Sequence, residues 1–95
     1  MADPNLLILA SLAEGDKHGY AMMADIAEFA EVSLGPGTLY GAISRLEKEG
    51  LIEPASPTTR RQPYRLTARG RKHLEAQIAT LAPVLRVGAR RLRNA

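Results

Sequence analysis

The 95-residue sequence predicts a mostly α-helical α+β domain carrying one small β-hairpin and a long C-terminal helix. Three observations point there. Residues 36–49 carry an apolar stripe at helical spacing with both ends marked. Residues 51–66 switch to extended, proline-interrupted chain with arginines at 60, 61 and 65. Beyond Thr67 the apolar residues return at spacings of 4, 3, 4, 3 and 4. Residues 1–67 then form one compact unit and 68–95 an appended helix. A chain this short buries a small core, and association with a second copy would add to its stability.

Taken in order, Asp3-Pro4 reads as an N-cap followed by a proline at the first helical position. Leu6, Leu7, Leu9, Ala10 and Ala13 continue a first helix, ending near Glu14-Gly15, apolar enough to be a buried strut. Residues 15–19 read as a turn, and 20–31 as a second helix offering Met22, Met23, Ile26, Ala27 and Ala30 to the core. After a turn at 32–35, Pro36 opens the third helix. Leu39, Ala42, Ile43 and Leu46 at i, i+3, i+4 and i+7 form its buried stripe, and Gly50 is suited to the residue just past its end. Leu51-Ile52-Glu53 and residues 62–66 read as two strands, with Tyr64 and Leu66 on one face. Pro54 and Pro57 forbid a helix between them, so 54–61 is a hairpin tip. Thr67 caps the last helix, whose Leu74, Ile78, Leu81, Leu85, Gly88 and Leu92 form a heptad seam. The leucines and Ile78 are the expected dimerisation residues. Pro83 removes the hydrogen bond to the Ala79 carbonyl, which predicts a kink or two shorter helices.

The faces of the third helix away from its stripe carry Gly37, Thr38, Tyr40, Gly41, Ser44, Arg45 and Lys48. Small, hydroxylated and basic groups together suit close approach to a phosphate backbone and base edges. The hairpin that follows holds Arg60, Arg61 and Arg65 with no nearby acid, as a wing touching the sugar-phosphate rail requires. Helix, stop and basic hairpin outline a winged helix-turn-helix that binds duplex DNA. Tyr20 is expected to pack while its hydroxyl reaches a phosphate, and His18, in the turn before a helix, is expected to be structural.

Net charge is +3, but its distribution is lopsided. Residues 1–32 hold Asp3, Glu14, Asp16, Asp25, Glu28 and Glu31 against Lys17 alone; residues 60–95 hold ten bases against Glu75 alone. Such asymmetry indicates a polyanionic partner on one side of the molecule. The C-terminal cluster of Arg86, Arg90, Arg91 and Arg93 suits solvation and the helix dipole.

With no cysteine there is no disulfide framework, thiolate metal site or thiol nucleophile. No phosphate-binding glycine loop and no paired-histidine spacing occur, so neither an enzyme nor a metal or cofactor site is expected. No apolar run approaches the roughly 20 residues of a membrane span, and Met1-Ala2-Asp3-Pro4 lacks the basic start of a signal peptide; the expected location is the cytoplasm.

Several motifs together carry a family resemblance: Leu9 to Gly15 with His18-Gly19-Tyr20; Pro36-Gly37-Thr38-Leu39-Tyr40; Arg45-Leu46-Glu47 through Gly50-Leu51-Ile52; and Tyr64-Arg65-Leu66-Thr67 with Gly70. Over residues 6 to 75 the chain resembles the PadR family of transcriptional regulators. Two positions depart from that family's pattern: Gly35 stands where a serine cap is common, and Gly41 where a proline is. The resemblance implies a homodimeric winged-helix repressor, with the last helix serving dimerisation and small-molecule or stress signals relieving repression. The chain, with Phe29 as its only Phe and no Trp, lacks an aromatic clamp for flat molecules, so the effector stays unknown. Two recognition helices related by a two-fold axis would enter major grooves about 34 Å apart, which predicts an inverted-repeat operator. The competing expectation is a winged-helix adaptor that binds a protein through its acidic first two helices.

Overall fold

The computed structural model describes residues 3–57 and 60–95; Thr58 and Thr59 of the expected hairpin tip, and the Met1-Ala2 start, lie outside the described residues. Four helices and a three-stranded antiparallel sheet follow in the order α1 (Pro4–Leu12), β1 (Lys17–His18), α2 (Gly19–Ala30), α3 (Pro36–Lys48), β2 (Ile52–Pro54), β3 (Pro63–Leu66) and α4 (Ala68–Arg93). The sheet order is β1-β3-β2.

Asp3 caps α1, its carboxylate accepting the Asn5 N–H at 3.1 Å, with Pro4 in the first turn. The helix stops at Leu12, short of the expected Glu14. Leu7, Ile8, Leu9 and Leu12 are buried, whereas Ala10 and Ala13 face solvent. Ser11 is buried too, and its hydroxyl donates to Asp25 Oδ2 at 2.7 Å. Lys17 Nζ donates to the Ser11 carbonyl and lies 2.8 Å from Glu14 and 3.8 Å from Asp25. This network satisfies the polar groups where α1, β1 and α2 meet.

The expected turn at 15–19 is corrected by β1, which pairs with β3 in the register Lys17↔Tyr64 and His18↔Pro63. His18 then caps α2, its Nδ1 accepting the Ala21 N–H at 3.3 Å, the structural role expected of it. Met22 and Ile26 enter the core and Met23 and Ala30 lie at its edge, but Ala27 is exposed.

In α3 the four stripe residues Leu39, Ala42, Ile43 and Leu46 are all buried, and Gly50 takes a left-handed φ of 75° just past the Glu49 cap. Gly35 stands at the N-cap without a side-chain hydrogen bond. Strands β2 and β3 pair Ile52↔Leu66, Glu53↔Arg65 and Pro54↔Tyr64, and Tyr64 and Leu66 pack against the core.

Thr67 joins the wing to α4. Its Oγ1 donates to the Gly50 carbonyl at 2.6 Å and accepts the Gly70 N–H at 3.0 Å. Gly70 is buried, and a Cβ there would overlap the Leu51 carbonyl oxygen. Leu74, the first residue of the expected dimer seam, is 7% exposed and packs in the core of its own domain. Of the two outcomes expected at Pro83, two shorter helices are not what forms: α4 runs through it as one helix of 26 residues, about 39 Å at 1.5 Å per residue. Pro83 faces solvent, which leaves the freed Ala79 carbonyl accessible to water. The outer half of this helix extends past the core and makes the molecule 53 Å long against 26 and 20 Å across.

Candidate nucleic-acid interface

With its stripe buried, α3 presents Gly37, Thr38, Tyr40, Ser44, Arg45 and Lys48 to solvent, with Gly41 half-buried. Gly41 leaves room beside Arg45: a Cβ there would sit 3.7 Å from Arg45 Nη1, an ordinary contact. Arg45 itself donates from Nη2 to Asn5 Oδ1 of α1 at 3.4 Å, so its guanidinium is steered from outside the helix. Tyr40 leans across to α2, where its phenol lies over Gly19 so closely that a Cβ at that glycine would overlap the hydroxyl. The helix therefore rests against α2 at its start through one aromatic ring and one glycine.

The wing approaches the same place. His18, Gly19 and Tyr20 of the β1–α2 junction, Tyr40 of α3, and Arg61, Gln62 and Tyr64 of the wing line a single cleft of about 130 Å³. Across it the Arg61 Cζ sits 5.2 Å from the centre of the Tyr20 ring, within the roughly 6 Å reach of a cation–π contact. Gln62 Nε2 donates to the carbonyls of Ala55 and Pro63, both at 2.7 Å, and the Ala55 N–H donates to Pro63 at 2.9 Å, which ties the base of the wing tip. The Tyr64 phenol is held above its ordinary pKa, first by burial, then by the negative charge of Glu47 and by Tyr40.

Arg60, Arg61 and Arg65 are all exposed, but Arg65 has an acid beside it. Its Nε lies 3.5 Å from Glu53 Oε1 across the β2–β3 ladder, which corrects the expectation of a wing whose cations have no acid nearby. Of the expected site residues, Tyr20, Tyr40 and Arg61 are brought together in the cleft. Arg45 is anchored separately on α1, and Arg65 on β2. Sequence reasoning missed Asn5, Gly19 and Glu53. The Glu53↔Arg65 pairing was accessible from the hairpin register, whereas nothing local marks Asn5 or Gly19 as a neighbour of α3.

The model of the PadR-like transcriptional regulator family matches residues 8–76. The chain belongs to that family. As a PadR-like protein it is similar to a PadR family transcription regulator from hypervirulent Clostridium difficile, with a TM-score of 0.81 at 28% identity over 94% of this chain and 97% of the other. A transcriptional regulator from Clostridium thermocellum gives 0.78 at 31% identity, over 92% and 87%. Bacillus subtilis PadR, solved in complex with operator DNA, shares the fold, with a TM-score of 0.68 at 24% identity over 78% of this chain and 45% of that one. Among curated proteins, an uncharacterised 37.1 kDa protein in a transposon of Streptomyces fradiae is 42% identical over 80 residues, or 84% of this chain. This PadR-like chain spans only 23% of that relative's length. No described helix is long and apolar enough to cross a membrane.

Proposed function

We propose that this PadR-like chain is a sequence-specific DNA-binding regulator acting as a homodimeric repressor on an inverted-repeat operator. The observation that carries the reading is the convergence of Tyr40 on the exposed face of α3 with Arg61 of the wing in one cleft. A helix for the major groove and a cation for the adjoining backbone thus lie side by side. Gly37, Thr38, Tyr40, Gly41, Ser44, Arg45 and Lys48 would meet the groove, and Arg60, Arg61 and Arg65 the flanking phosphates. Bacillus subtilis PadR, which shares this fold, was solved in complex with operator DNA, which supports a DNA-binding role here.

The dimer is supported by an apolar groove of about 310 Å³ between α1, the end of α2 and α4. Leu6, Phe29, Ile78, Leu81 and Leu85 line it without a polar atom. Leu85 is 68% and Leu92 80% exposed on the protruding half of α4, and a second copy's α4 would cover them. Leu74 contributes from beneath, as the floor of the groove. Pairing two such subunits would set their recognition helices on one face of DNA.

A fluorescence-anisotropy titration against the protein's own upstream DNA, with a scrambled duplex as competitor, tests the reading. Binding that survives the competitor is expected. Binding equal to that of the scrambled duplex would favour a protein-docking adaptor.

A further inference from the structure

We propose that Tyr20 is a positioning residue of the wing, its ring holding the Arg61 guanidinium in the orientation that takes it to the DNA. This rests on the DNA-binding reading above, and it replaces the expectation that the Tyr20 hydroxyl itself grips a phosphate.

Tyr20 is the second residue of a 12-residue helix whose start is fixed on three sides: by the His18 cap, by the phenol of Tyr40 lying over Gly19, and by the pairing of β1 with β3. The ring thus projects from a rigid base and remains 59% exposed. The β2–β3 ladder ends at Pro54↔Tyr64, and beyond it the described tip residues are tied by the Ala55–Pro63 backbone bond and the Gln62 amide. Arg61 lies just past those ties, and its guanidinium stacks at 5.2 Å on the ring centre. An arginine ordered before DNA arrives loses less rotamer freedom on binding. The interaction needs the aromatic face and not the hydroxyl, so phenylalanine should do the work that leucine cannot.

The test compares Tyr20→Phe, Tyr20→Leu, Arg61→Ala and the Tyr20→Leu/Arg61→Ala double variant, each confirmed folded by an unfolding midpoint near the parent's. Affinity for the protein's own upstream duplex is read by anisotropy, and the ring-current shift of the Arg61 Nε–H by NMR in the free protein. Expected are full affinity and a retained shift for Tyr20→Phe, and for Tyr20→Leu a loss of the shift with about two- to fivefold weaker binding. Tyr20→Leu should add nothing once Arg61 is alanine. Equal losses for Phe and Leu, or losses that multiply in the double variant, would overturn the proposal. If the parent binds no duplex, the DNA-binding reading fails and the positioning role with it, while the free-protein shift still reports whether ring and guanidinium pair.

Discussion

Gly70 and Gly41 are both helical glycines, and their neighbours give them opposite roles. At Gly70 the first turn of α4 passes so close to the Leu51 carbonyl that no side chain fits, so Gly70→Ala should destabilise the fold by about 1–3 kcal/mol in denaturant titration. At Gly41 the nearest atom is Arg45 Nη1 at an ordinary 3.7 Å, and Gly41→Ala should instead stabilise α3 by about 0.5–1 kcal/mol, through the smaller loss of backbone entropy. Tyr64 sets an alkaline limit. Burial, Glu47 and Tyr40 all oppose its ionisation, so its folded pKa lies above the 10.0 of the unfolded chain. The neutral phenol's contribution is therefore complete below pH 10 and is lost as pH rises through the folded value. Urea titrations from pH 8 to 11 should show a steeper alkaline loss for the parent than for Tyr64→Phe.

Among the elements, α3 was fully legible because its signals are local: a stripe of four apolar residues, Pro36 at one end and Gly50 at the other. Strand β1 was not, because two residues acquire strand character only through pairing with β3, some 46 positions along the chain. The wing's strands were readable to within a residue or two, but the Glu53–Arg65 pair depended on their register. Asn5 meets Arg45 across 40 positions, a contact that no periodicity encodes. Helix α4 shows the reverse: Pro83, a strong local signal for a kink or for two shorter helices, sits at an exposed position inside one continuous helix. Pro83→Ala restores a donor to the Ala79 carbonyl, and should raise stability by up to about 3 kcal/mol in thermal unfolding, with undiminished far-ultraviolet helical signal.

For the whole molecule, charge and shape divide the work. Acidic residues crowd the first third of the chain and arginines the last, while the 26-residue α4 carries its apolar stripe out beyond the core. Placing aspartate at Ile78 and Leu85 together should leave each domain folded, since neither belongs to its core, and should convert the proposed dimer to monomer in sedimentation velocity. DNA affinity should fall with it, because two half-sites would no longer be bound as one. If recognition helix and wing meet phosphates together in a two-subunit complex, the salt dependence of operator affinity reports both at once. If each subunit neutralises three to five phosphates, log affinity should fall against log salt with a slope of roughly −5 to −9, and Arg60→Ala/Arg61→Ala should flatten it by about 3 to 4. A slope near zero would mean that the protein does not neutralise DNA phosphates, and one unchanged by removing the two arginines would mean that the wing does not touch them.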